Sequence, residues 1–176
     1  MTMSNVRRQG GMTLIELMLV LGLGMAIVIG GLIWYNSVKE AQRLGDGVRN
    51  LQSMTSAVRA MFAPQGNYDG LTEAVAMRAS GFPAQMRTGT DGQMGHPWDE
   101  STNAVVIAVD SMNAPNDAFL VTWNNLPEAA CTNLAAQTYT SYERLTIGGG
   151  NNRVTGIAQI ATGCSGDSNS LTWRVR

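Results

Sequence analysis

The stretch GMTLIELMLV, Gly11–Val20, places a single carboxylate, Glu16, at the head of an apolar run. From Leu17 to Val38 there are 22 consecutive residues without a charge. As a helix that run would be about 33 Å long, enough to cross a hydrocarbon core of roughly 30 Å. Arg7 and Arg8 lie on its N-terminal side. By the positive-inside rule they hold the N-terminus in the cytoplasm and send the rest of the chain across the membrane, with Lys39, Arg43 and Arg49 on the far flank voting the other way. An acid at the edge of lipid is expensive to keep charged, so Glu16 asks for a partner.

The apolar pattern outlives the uncharged run. Val38, Ala41, Gly45, Val48, Leu51, Thr55, Val58 and Phe62 continue at steps of three and four, while Lys39, Glu40, Arg43, Asp46, Arg49, Asn50 and Gln52 fall largely off that line. The spacing predicts one helix from about Met12 to Phe62, ended by Pro64 and Gly66. At about 75 Å it is far longer than a membrane is thick, so its second half must pack on something soluble.

The whole chain of 176 residues has room for one domain besides this helix, and 44% hydrophobic with 14% charged residues fits a globular protein. LTEAVAMRAS (Leu71–Ser80) reads as a short helix stopped by Gly81–Pro83. AVVIAVD (Ala104–Asp110) and AFLVTWN (Ala118–Asn124) read as an antiparallel strand pair across the turn-rich SMNAPND. PEAACTNLAAQ (Pro127–Gln137) has proline at a first helical turn and good helix formers after it. RLTIGGG, VTGIAQI and LTWRVR are three further strand candidates. Two cysteines, Cys131 and Cys164, fall in the exported part. An even count in an oxidising compartment favours a disulfide over metal ligation or catalysis, and a loop of that span is worth roughly 3–4 kcal/mol on the chain-entropy model.

Several activities are disfavoured. Net charge is −1 and the twelve Lys and Arg residues are dispersed, so a basic nucleic-acid face is not supported. His96 is the sole histidine. With Asp99, Glu100 and nearby serines it could be drawn as a triad, but a histidine beside a Pro-Trp turn reads as a packing or surface residue. HExxH, a cysteine pair at metal spacing and a nucleophile elbow are missing from the sequence, so neither catalysis nor a cofactor is expected. GGGNN (Gly148–Asn152) lacks the lysine and the strand-to-helix context of a phosphate loop and reads as a turn. Trp98, Trp123 and Trp173 read as core, Trp34 and Tyr35 as an interfacial belt. Arg174 and Arg176 end the last strand at a solvated edge or against a neighbouring subunit.

A secretory signal is cut after its apolar region, beside small residues, and GGLIWYNSVK offers a poor site. A short basic leader ending in Gly10-Gly11, the segment GMTLIELM (Gly11–Met18) and the long amphipathic continuation of the helix together resemble a type IV prepilin. Met12 after the cut, HPWDESTNAVVIAV and LPEAACTNL resemble the type IVb group, which includes the pilins of conjugative thin pili, toxin-coregulated and bundle-forming pili. The resemblance implies an α+β fold, a long N-terminal hydrophobic helix whose C-terminal half packs on an antiparallel sheet. Residues 1–11 would be a cytoplasmic leader, 12–38 the transmembrane and filament-core helix, and 39–63 its amphipathic half. Residues 64–176 would be the globular domain, with Cys131 and Cys164 bounding a variable surface region.

The resemblance also implies cleavage after Gly11 by prepilin peptidase, N-methylation of Met12, and pairing of Glu16 with a neighbour's new α-amino group during assembly. The expected function is a structural subunit of a homo-oligomeric pilus, not an enzyme. Its partners would be the peptidase and the assembly platform with its ATPase. The prepilin would sit in the inner membrane with its domain in the periplasm, and the mature form in the extracellular filament. A minor pilin or tip adhesin, and a type II secretion pseudopilin, are the alternatives.

Overall fold

A computed structural model describes residues 13–89, 92–150 and 152–176. Its elements run α1 (Leu14–Phe62), α2 (Glu73–Met77), a 3-10 turn (Ala84–Met86), β1 (Val105–Asp110), β2 (Ala118–Leu126), α3 (Glu128–Thr138), β3 (Arg144–Ile147), α4 (Ile157–Gly163) and β4 (Asn169–Val175). Internal contacts divide the chain after Ala41 into two units.

The first unit holds the N-terminal part of α1. Its side chains from Leu14 to Tyr35 are solvent-facing, with Leu14 at 72% and Trp34 at 71% of full exposure. By length and composition this helix can cross a membrane. Gly22, Gly24, Gly30 and Gly31 meet nothing within 4 Å even if a Cβ is added to each. Each glycine weakens the helix by about 1 kcal/mol relative to alanine, and the backbone there lies bare for a close neighbour.

The second unit is built on a four-stranded antiparallel sheet in the order β1-β2-β4-β3. Alternation is strict in β4, where Asn169, Leu171, Trp173 and Val175 are buried and the residues between them half-buried. β2 turns Phe119, Val121 and Trp123 to the same side. These side chains share one core cluster with Leu51, Met54, Val58 and Phe62 of α1 and with Leu134 and Cys131 of α3. The indole N–H of Trp173 donates to Thr138 Oγ1 at 2.8 Å, and that hydroxyl donates to the Leu134 carbonyl at 2.6 Å, tying β4 to α3. Cys131 in α3 and Cys164 at the end of α4 are joined by a disulfide with Cα atoms 5.7 Å apart. Each sheet edge meets its own chain once: Val105 of β1 forms a bridge with Met94, and Val154 N–H donates to the Leu145 carbonyl of β3 at 2.8 Å.

Three local readings need correction. VTGIAQI is not a strand: Ile157–Gly163 is helix α4, since Ala158, Gln159 and Ala161 are good helix formers and only Ile160 of the helix is buried. LTEAVAMRAS is helical only over Glu73–Met77, started where Thr72 Oγ1 accepts from the Val75 N–H. The buried stripe of α1 keeps Leu51, Thr55, Val58 and Phe62 of the expected line but is wider than it, taking in Gly47, Asn50, Met54 and Ala57 as well. Gly45 is exposed and Asn50, expected outside, is buried at 4%. Gly47 contributes to the widening: with no side chain it admits the Trp98 ring, which would lie 2.9 Å from an added Cβ. The helix ends as Gln65 and Gly66 N–H both reach the Phe62 carbonyl, with Gly66 at φ 76°.

Gly47→Val should therefore destabilise the folded unit by about 1–3 kcal/mol by forcing Trp98 off the helix, despite the better helix propensity of valine. The expected result is a lower urea midpoint with an unchanged slope. A midpoint at or above the parent's would show that the Trp98 contact is dispensable.

Candidate functional site

At the head of α1 the Leu17 N–H donates to the Thr13 carbonyl at 3.1 Å, closing the first turn. The Glu16 N–H reaches Thr13 Oγ1 at 3.4 Å. Thr13-Leu-Ile-Glu16 thus has the spacing of a capping box, in which a hydroxyl accepts from the N–H three residues on. The Glu16 carboxylate lies in the first helical turn, where unpaired N–H groups and the macrodipole favour negative charge, and its residue is exposed. That cap is made by the Thr13 hydroxyl, and the sequence pattern T-x-x-E could have disclosed it. Gly11 and Met12, the expected cleavage and methylation positions, lie outside the described residues, as does the whole of 1–11.

The exposed apolar surface follows immediately. Among the described residues the large hydrophobic side chains left in solvent are concentrated between Leu14 and Tyr35, with Met61, Met112 and Ile157 as isolated exceptions. A continuous surface of this kind marks a membrane or protein contact rather than a solvated helix. Trp34 and Tyr35 stand at its C-terminal end, with Lys39 Nζ 5.8 Å from the Tyr35 ring centroid.

In the second unit an open cleft of about 540 Å³ is lined by Thr102, Asn103, Asn124, Asn125, Ser168 and other neutral polar groups. Its walls are held by their own hydrogen bonds. Asn125 Nδ2 donates to Asp99 Oδ2 at 2.8 Å, Ser168 Oγ to Asn125 Oδ1 at 3.1 Å, and Asn124 Nδ2 to the Asn103 carbonyl at 2.8 Å. With no titratable side chain in its lining, the cleft has no acid or base to offer.

His96 lies behind this wall, 3% exposed and stacked on Trp123 at 5.1 Å with 14° between rings. Nε2 sits 2.8 Å from the Asn124 carbonyl, so it carries the proton and donates. Nδ1 accepts from the backbone N–H groups of Trp98 and Asp99. Both ring nitrogens are occupied by main chain, so the imidazole cannot serve as a general base. Burial pushes its pKa below 6.5. Asp99 is held below its ordinary range chiefly by the Asn125 amide, with the Ser101 N–H and hydroxyl adding to it. Among the described residues, groups of three or more His, Cys, Asp or Glu that could hold a metal are absent. Trp123 and Trp173 are fully buried and Trp98 half-buried. Arg174, read from sequence as lying at a solvated edge or against a neighbouring subunit, forms an ion pair with Asp110 across the sheet.

Comparison with known proteins gives a consistent picture. The family described as PilS N terminal matches residues 41–176. The major structural subunit of the bundle-forming pilus of Escherichia coli O127:H6 (strain E2348/69 / EPEC) is 24% identical over 131 residues, covering 74% of this chain and 66% of that protein. The subunit of the same description from Escherichia coli O111:H- matches to the same extent. The chain therefore spans just under two thirds of the length of these relatives. Among solved structures, TcpA, a type IV pilin from Vibrio cholerae El Tor biotype, superposes with a TM-score of 0.53 at 17% identity, covering 77% of this chain and 99% of that one. A type IV b pilin from Salmonella typhi gives 0.52 at 18% identity, covering 73% and 97%. At such identities the likeness is one of fold.

The setting of His96 predicts a pH dependence. Below about 6.5 the unfolded chain takes up a proton that the folded chain refuses, so stability falls as pH drops from there toward the depressed folded value, by at most about 1.4 kcal/mol per pH unit. Asp99 adds a loss only at much lower pH, below its ordinary 3.8. Urea unfolding of the full chain in detergent between neutral pH and pH 5 should show this slope, and His96→Gln should flatten it. An equal slope in the variant would assign the effect elsewhere.

Proposed function

The chain belongs to the PilS N-terminal family of type IV pilins, and from that premise we propose that it is a structural subunit of a type IV pilus, assembled by packing of its N-terminal helices. The family is one of structural, non-enzymatic proteins. The observation that carries the proposal is the exposed apolar surface of α1 from Leu14 to Tyr35, headed by one carboxylate at Glu16. Among the described residues nothing covers that surface. Bilayer lipid would supply it before assembly, and the helices of neighbouring copies afterwards. The bare glycines of α1 would admit those helices closely.

On this reading prepilin peptidase removes residues 1–11 and Met12 becomes an N-methylated terminus. Its amine then meets the Glu16 carboxylate of a neighbouring copy in the filament core. Each charge alone costs several kcal/mol to keep from water, so pairing them sets both a driving force and a register. The platform and ATPase machinery would extract the subunit from the inner membrane, with the second unit on the periplasmic side, into an extracellular filament. The Cys131–Cys164 disulfide suits an oxidising compartment. Major subunit is preferred over minor pilin because the bundle-forming relatives bear that description; a minor pilin, tip adhesin or secretion pseudopilin would be scarce in sheared surface fractions.

Mass spectrometry of sheared filaments tests processing directly: the expected mass lacks residues 1–11, carries one methyl group and is oxidised at the cysteine pair. Gly11→Ala should leave an uncleaved band. Glu16 carries the charge that the pairing needs, and one pair of variants isolates it. The Thr13 cap uses the backbone N–H of residue 16, and glutamine also occurs at that place of a capping box, so Glu16→Gln removes the charge and leaves the helix start in place. If charge pairing matters, Glu16→Gln and Glu16→Val both insert in the membrane and both fail to enter filaments. Assembly by Glu16→Gln at the parent's level would sink the pairing.

A further inference from the structure

The face of the sheet turned away from the core carries an arrangement that pilus assembly through α1 does not use. Arg144 on β3 and Arg174 on β4 are direct partners in the antiparallel register. Like charges directly opposite each other destabilise a strand pair. One carboxylate, Asp110 of β1, reaches Arg174, and among the described residues Arg144 has no acid partner. The patch therefore keeps an excess positive charge.

The two guanidinium groups border a concavity of about 180 Å³ on this face, completed by Thr122, Thr172, Thr146 and the backbone at Gly149. Its donors are under-used. Arg174 Nε is enclosed and has no acceptor. Thr146 is 5% exposed, and its hydroxyl makes no hydrogen bond among the described residues. Thr122 and Thr172 share a single hydrogen bond at 3.0 Å, so whichever hydroxyl accepts has its own hydrogen to give. Gly148 and Gly149, at φ 70° and 69°, turn the chain over the rim in a conformation that side chains resist.

We propose that this concavity binds a small oxyanion, a carboxylate, phosphate or sulfate group, held between Arg144 and Arg174 with the threonine hydroxyls donating to it. The ligand's charge offsets the repulsion of the facing guanidiniums. Charge-assisted hydrogen bonds from arginine to such groups are the strong ones. The volume suits one oxyanion group and excludes a large ring system. The Asp110 carboxylate stays on Arg174, so the new anion is held principally by Arg144.

The test is a titration of the isotope-labelled full chain in detergent micelles with inorganic phosphate, following the Arg174 Nε–H and the Gly149 and Gly150 amide resonances. Saturable shifts at millimolar phosphate are expected. Arg144→Gln should weaken them about tenfold or more, while Arg78→Gln, the same charge change at an exposed arginine beyond α2, should leave them intact. A parallel acetate titration separates the sources. Preference for acetate assigns the site to a carboxylate such as an acidic side chain of a second copy, preference for phosphate to a free oxyanion, and either supports the site. Shifts that do not saturate, or that Arg78→Gln weakens equally, overturn it.

Discussion

The second unit depends on one burial: the α1 stripe from Gly47 to Phe62 laid into the core that the sheet's inward side chains form. Trp123 and Trp173, edge to face at 5.5 Å, are the bulk of that inner surface. Aromatic pairs of this geometry add about 0.5–1.5 kcal/mol beyond the area they bury. His96 stacks on one of them, and Thr138 takes the indole proton of the other. Removing the α1 stripe would uncover Leu51, Met54, Val58 and Phe62 together with the residues beneath them, so the helix is part of the core rather than an appendage to it.

Polar groups then fix what hydrophobic packing leaves loose. Tyr142 is raised from its ordinary pKa chiefly by burial, while a hydrogen bond with Thr55 of α1 works against that shift. Asn169 reaches back from β4 to the Leu126 carbonyl and to the Gly166 carbonyl, covering the irregularity between Trp123 and Leu126 where β2 and β4 lose register. The disulfide acts on the same region by a different route, limiting the unfolded chain across 33 residues that contain β3 and α4.

Much of this was readable from the residues. The charge-free run, Glu16 and the steps of three and four announced α1, and its end at Phe62 followed from Pro64 and Gly66. β1, β2 and β4 were visible because β-branched and aromatic residues recur there between turn formers. The readings that missed share a physical reason. Gly47 has no hydrophobicity to score, yet by omitting a side chain it lets Trp98 onto α1 and widens the buried face. VTGIAQI mixes residues compatible with both periods, and only the tertiary setting of Ile160 and Val154 resolves it. The polar cleft and the Arg144–Arg174 pair come from positions far apart in sequence, brought together by register, which composition does not disclose.

The contacts at Met94 and Val154 bear on how copies of this chain can meet. An open strand edge is a template on which another chain's backbone can pair, and repeated pairing of that kind leads to cross-β growth. Here β1 and β3 each spend an outward-facing group on their own chain. At those two positions the edge group is already spent and is not on offer to another chain's backbone, which shortens the stretch of each margin along which a foreign strand could pair.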